Sequence, residues 1–259
     1  KTFRTSLAVF LSAFGLARST NAQTVTDGSL GPRTELHGLE VEIGASLGSK
    51  REDNLFHSFE TFNIPENGST TFTGPPEIKN VISRVTGGEQ STIGGSLRSE
   101  VGTAGFFLIN PSGIVISEGA SVDVLGSFHV SDASHIRFAD GAILSAGDIS
   151  ANELSVTDPT SFGFLEKSSI GLVIDGASLD FEKNQNVNIV GSRIYMTDSN
   201  IAIDNGDLSL VTKNNDFVSV AIHDYENLES QKYEVRHINI DTPNRIKKDL
   251  NGSIEINKS

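Results

Sequence analysis

From Gln23 onward the sequence breaks into short apolar–polar alternations punctuated by Gly, Asn, Asp and Ser, with almost no helical period. Alternation places every second side chain on one face of a pleated strand, and the turn residues end each strand early. LEVEI (39–43), GIVIS (113–117), SVDVL (121–125), SFHV (127–130) and HIRF (135–138) are examples, followed by 172–174, 178–181, 186–190, 193–196, 200–203 and 207–211. The chain is therefore expected to be all-β.

Repeats narrow the choice among all-β folds. A Gly-Ala step leads an alternating pair at Gly44 (GASL), Gly119 (GASV), Gly141 (GAIL) and Gly176 (GASL). Gly119 and Gly141 stand 22 residues apart, the length of one β-helix coil, whereas Gly141 and Gly176 stand 35 apart and need an insertion or an extra strand between them. Coils of this kind bury a shared core only by stacking. Asn-Gly hairpin signals at Asn67, Asn205 and Asn251 are too few for a meander, and a β-sandwich is the competing arrangement. The expectation is a right-handed parallel β-helix with an N-terminal cap and extra-helical β-hairpins. At roughly 20–25 residues per coil the chain has length for on the order of ten coils, a rod of roughly 50 Å. Exposed ends of such a rod invite strand addition, so residues 24–43 are the expected cap, with the alternation at 36–43 closing the first rung.

Residues 1–22 read as a secretory signal peptide: Lys1 and Arg4 are basic, residues 7–16 (LAVFLSAFGL) are apolar, and Thr20-Asn21-Ala22 offers small residues for cleavage. That apolar run is too short to span a bilayer. The chain has no Cys, which excludes disulfides and thiolate chemistry, and its net charge of −13 argues against nucleic acid and anionic lipid as partners.

The segment from Asn54 to Ala133 carries the most information. It contains NLFHSF (54–59), FNI (62–64), FTGP (72–75), IKNVISRVTGG (78–88), STIGGSL (91–97), FFLINPSGI (106–114) and SFHVS (127–131). In this order the segments resemble the haemagglutination-activity or two-partner-secretion (TPS) domain of filamentous-haemagglutinin-like exoproteins. SFGFL (161–165) and the strands to about 211 continue the likeness. The family's Asn-Pro-Asn-Gly-Ile motif appears as Asn110, Pro111, Ser112, Gly113 and Ile114, with Ser at the third position; a second motif, Asn-Pro-Asn-Leu, is absent. The resemblance implies a domain that a cognate outer-membrane transporter recognises through periplasmic POTRA domains. It also implies a secreted or surface protein of a Gram-negative bacterium, exported through the periplasm as a monomer. Adhesion to a host or bacterial receptor, directly or through a passenger beyond this domain, is the alternative.

Residue chemistry stands beside that resemblance. Pro111 pre-sets φ for a turn, Gly113 accepts positive φ, and Asn110 can bond its side chain to the turn backbone. In the secondary motif Arg84, Val85, Thr86, Gly87 and Gly88, the glycines suit a corner or close backbone approach, and Arg84 is expected to pair with an acid. Either motif serves folding, transporter recognition or both. A polysaccharide-degrading enzyme is the other β-helix option, with Asp123, Asp132, Asp140, Asp148 and Arg137 as its candidates. Yet no pair recurs at coil spacing, and Asp suits turns. His37, His57, His129, His135, His223 and His237 are scattered, so no catalytic residue, metal or cofactor is expected. The division expected is signal peptide 1–22, β-helix domain 23–221, and a charged tail 222–259 of further rungs or the start of a passenger.

Overall fold

The computed structural model describes residues 23–149, 153–165, 170–181, 185–203, 207–212, 219–221 and 238–241. Residues 1–22, where a signal peptide is expected, and most of residues 222–259 lie outside them.

Three strand stacks run parallel around one core. The main sheet stacks Asn54–Phe62, Asn80–Val85, Gly105–Ile109, Phe128–Ser131, Asn186–Gly191 and Asp207–Thr212, each hydrogen-bonded in parallel to the next. A second face stacks Ser91–Ile93, Ile114–Ile116, Leu172–Asp175 and Ile194–Thr197. The third stacks Glu40–Gly44, Ser69–Thr73, Ser96–Ser99 and Ser121–Val124, then Ser178–Phe181, Ser199–Ile203 and Ile238–Asp241. The protein is a parallel β-helix, not a sandwich. Inward side chains of the three faces (Leu55, Phe59, Phe72, Leu97, Phe106, Ile114, Phe128, Leu179 and Ile189) meet in one continuous core.

The number of coils is smaller than length alone suggested. Register-equivalent Leu55, Val81, Phe106 and Phe128 recur every 22–26 residues, but the next equivalent, Val187, follows Phe128 only after 59. The extra chain forms an antiparallel sheet of His135–Phe138, Ile143–Ser145 and Pro159–Gly163 beside the helix. Its cause is legible in the main sheet, whose outward column of Phe56, Ile82 and Phe107 is apolar and must be covered. Phe138, Leu144 and Phe162 cover it, making a second core. Main-sheet strands are therefore buried on both faces, as the unbroken burial of Asn80–Val85 shows. Cap, corners and this excursion consume the residues that would have made further coils, leaving about six.

The Gly-Ala repeat needs correction for the same reason. Gly119 and Gly176 do occupy equivalent corners, with φ of +82° and +68°. Gly141 instead turns the antiparallel hairpin, its amide donating to the Phe138 carbonyl at 3.0 Å, and Gly44 ends a strand. The 22-residue spacing from Gly119 to Gly141 is thus not a coil.

Thr24–Thr26 pairs antiparallel with Asn54–Phe62 and carries Glu35–Leu36 on its far side, which caps the main sheet. An asparagine pair secures the return of the excursion. Asn54 Nδ2 donates to the carbonyls of Ser155 (3.0 Å) and Thr157 (2.7 Å), and Asn80 Nδ2 donates to Asn54 Oδ1 (2.9 Å) and Asp158 Oδ1 (3.0 Å).

Candidate functional site

The Asn110–Gly113 corner joins the main sheet to the second face in the third coil. The Gly113 amide donates to the Asn110 carbonyl at 2.9 Å, closing a β-turn. Pro111 and Ser112 fill its centre, and since Ser112 does not take positive φ, the turn is type I. Asn110 is fully buried. Its Oδ1 accepts from the Ser112 amide (2.9 Å), and its Nδ2 donates to the Glu89 carbonyl (2.9 Å) and to Ser91 Oγ (3.0 Å). One side chain therefore holds its own turn and the corner of the coil before it. Gly113, at φ +108°, accepts from the Ser91 amide through its carbonyl, and Ile114 donates to the Gly171 carbonyl in the following coil, both at 3.0 Å. A Cβ on Gly113 would sit 2.9 Å from both Gly171 O and Ile170 Cβ. Ile114 points into the core, while Pro111 and Ser112 remain half-exposed at the tip.

The second motif sits one coil earlier and turns inward on itself. Arg84 points out of the main sheet but is 1% exposed, because cap and hairpin close over it. Its Nε donates to Ser58 Oγ (2.7 Å), Nη2 to Ser29 Oγ (2.9 Å) and Nη1 to the Ser145 carbonyl (2.5 Å). Asp27 gathers the same hydroxyls from the other side. It accepts from Ser58 Oγ (2.5 Å), Ser29 Oγ (2.7 Å), the Ser29 amide (2.8 Å) and Thr86 Oγ1 (2.8 Å). Arg84 and Asp27 thus meet through shared serines, not in direct contact, which refines the acid pairing expected of Arg84. Burial pushes the Asp27 carboxyl up, but the hydrogen bonds from Ser58, Ser29 and Thr86 outweigh it and hold it below its ordinary value. Burial also draws the Arg84 guanidinium down, with the charge of Asp27 opposing.

The glycines of this motif divide the two roles expected of them. A Cβ on Gly87 would lie 2.0 Å from the Glu60 carbonyl oxygen, so close approach excludes a side chain there. Gly88 has open space and φ +82°, a conformational requirement. Val85 is core. Sequence reasoning missed Asp27, Ser29, Ser58 and Ser145, whose only local signal is turn or strand composition.

The carboxylates considered for catalysis do not converge. Asp132 is buried, and its carboxylate accepts from the Ser192 amide (2.7 Å) and hydroxyl, tying two main-sheet strand ends together. Asp140 accepts from the Ala142 amide (3.0 Å) and Ser155 Oγ (2.7 Å) in the hairpin. Asp123 lies opposite Arg98 on the third face, and Asp148 follows the hairpin. Among the described residues no group of three His, Asp or Glu side chains is placed to hold a metal ion. His129 stacks on Phe107 with centroids 4.1 Å apart and bonds Asn188 at 2.9 Å. His223 and His237 lie outside the described residues.

Two buried titratable groups give opposed pH responses. His57 lies in the core with neither ring nitrogen hydrogen-bonded, and burial lowers its pKa from 6.5 to about 4. The unfolded chain takes up that proton first, so His57 costs stability as pH falls from about 6.5 towards 4. Burial raises the Asp132 pKa to about 6, against the Ser192 hydrogen bonds that lower it. Here the folded state holds the extra proton, so the contribution is full below 3.8 and is lost as pH rises through about 6. Each effect is on the order of 3 kcal/mol at most, and across pH 4–6 they cancel in large part. Asp132→Asn should make stability rise more steeply with pH than in the native chain over that interval, as urea denaturation at pH 4, 5 and 6 would register. An unchanged slope would mean that Asp132 is ionised throughout.

Comparison with known proteins places these features in a family. The family model described as "TPS secretion domain" matches residues 22–258. A solved structure titled as the HMW1 secretion domain from Haemophilus influenzae matches with a TM-score of 0.50 and 20% identity, covering 82% of this chain and 54% of that one. The chain thus corresponds to about half the length of that structure, and the likeness bears on the fold. No curated protein matches. With its β-helix matched along nearly the whole sequence, the chain belongs to the TPS secretion domain family.

Proposed function

We propose that this domain is the export address of a two-partner-secretion exoprotein. The cognate outer-membrane transporter reads it from the periplasm through POTRA domains, and it then nucleates β-helix folding outside the cell. The family match over residues 22–258 carries this reading. The architecture supports the nucleating role. The antiparallel cap closes the beginning of the main sheet, while Ile238–Asp241 is laid parallel on Ser199–Ile203, a template on which further rungs can add. The periplasm offers no nucleotide, so folding free energy released outside is the pull on the chain. Residues 222–259 are then further rungs or the start of a passenger, and any adhesive role belongs to such a passenger.

The test is export in a reconstituted pair. Produced with its transporter, the domain should accumulate in the medium, and without it the domain should stay in the periplasm. Equal appearance in the medium without transporter overturns the reading. Ser112 separates folding from recognition at the Asn110–Gly113 corner, because the turn uses its backbone amide and leaves the side chain half-exposed. Ser112→Lys should fold with an unchanged Tm. A fall in its export assigns the turn tip a contact with the transporter; full export confines the motif to folding.

A further inference from the structure

We infer that the excursion at 135–163 is a strap whose docking locks the cap and the first three coils. The early half of the domain then stays open until residues far along the chain are free to pack on it. This deepens the proposed function and rests on it, because a chain that is to fold outside the cell must not close before it gets there.

Two kinds of contact build these coils. Rung pairing joins residues 22–26 apart, as between Leu55, Val81, Phe106 and Phe128. The strap's bonds span far more chain. They join Arg84 to the Ser145 carbonyl over 61 positions, Asn80 to Asp158 over 78, and Asn54 to the carbonyls of Ser155 and Thr157 over 101 and 103. Contacts of high sequence separation carry the larger closure cost and form only when both partners are free.

Without the strap, the early coils have an outer face with nothing to cover it. Phe56, Ile82, Phe107 and Ile109 are at most 2% exposed because Phe138, Leu144 and Phe162 pack over them, Phe138 meeting Phe56 edge-on with ring centroids 5.9 Å apart. Asn54 commits both amide hydrogens to the strap, and Asn80 commits one. Arg84 ties strap to cap, its one guanidinium bonding Ser145, Ser29 and Ser58 together. With the strap withdrawn, Arg84 faces water, its bond to Ser29 competes with solvent, and the cap is held weakly. Among the described residues the strap's strands pair with no main-sheet strand, so the strap closes as a unit through side chains.

Hydrogen exchange in the whole domain tests this without a transporter, so its failure is distinct from failure of the export reading. The amides of Asp27 and Asn63, which donate to the Ser58 and Gln23 carbonyls, report the cap; those of Ala139 and Ala146 report the strap. Leu144→Ala loosens the strap, and Ile201→Ala, in the inner core of a late coil, is the control. Leu144→Ala should speed exchange at Asp27 and Asn63 by about thirtyfold, as at Ala139 and Ala146, whereas Ile201→Ala should leave all four unchanged. In refolding of the native chain from urea, pulse labelling should find cap and strap amides protected in one phase. Cap amides indifferent to Leu144→Ala, or speeded as much by Ile201→Ala, overturn the strap. Protection of Asp27 in a phase before Ala146 overturns it as well.

Discussion

Arg84→Ala is expected to destabilise the domain by about 3–5 kcal/mol, the range for removing one member of a buried charged network. Three bonds disappear together, and each ends on a different part of the chain: Ser29 in the cap, Ser58 in the first main-sheet strand and Ser145 in the hairpin. Left behind are a void, a half-buried Ser145 carbonyl and an Asp27 carboxylate deprived of the guanidinium charge that faces it. Arg84→Lys should recover only part of the loss, because a single ammonium cannot reach three acceptors in a fixed plane. Arg84→Met combined with Asp27→Asn should cost less than the sum of the two single changes, since it removes the unpaired charge as well as its partner. Urea denaturation reads all five variants, the two single changes included. A loss under about 1 kcal/mol for Arg84→Ala would show that solvent replaces the guanidinium and that the cap is held by its backbone ladder instead.

That network also marks where the sequence stops being legible. Period-two alternation located the rungs closely: 121–125 against Ser121–Val124, and 178–181 against Ser178–Phe181. The ordered segments from Asn54 onward carried the family, because their residues fix both strands and corners. Alternation does not tell a rung from a strand outside the helix, however. HIRF (135–138) reads as one more rung and is instead antiparallel to Pro159–Gly163. Gly141 misled for the same reason, since a hairpin and a coil corner both need positive φ. The hub of Asp27, Ser29, Ser58, Arg84 and Ser145 joins residues separated by as many as 118 positions, and no local pattern announces it. The Asn54–Asn80 pair was nearer to reach: once the coil length is known, equal residue types one coil apart at equivalent strand starts suggest a ladder.

Gly113→Val is the second large effect, and it bears on export as well as stability. The new Cβ meets Gly171 O and Ile170 Cβ at 2.9 Å, and a β-branched residue is forced to φ +108°. Overpacking and backbone strain of about 1–3 kcal/mol each set the expected loss at about 2–6 kcal/mol. Asn110→Ala acts by a different route, leaving the buried Ser91 hydroxyl, the Glu89 carbonyl and the Ser112 amide without their partner, for about 2–4 kcal/mol. Pro111→Ala keeps every bond of the corner and should cost less than about 1 kcal/mol. If folding outside the cell supplies the pull, export should follow this ranking whatever the chemistry of the substitution. Pro111→Ala would be exported normally, whereas Asn110→Ala and Gly113→Val would be synthesised, reach the periplasm and fail to accumulate in the medium. Secretion measured against urea stability across the series decides the matter. Full export of a Gly113→Val chain that does not fold would separate recognition from folding and place the driving force elsewhere.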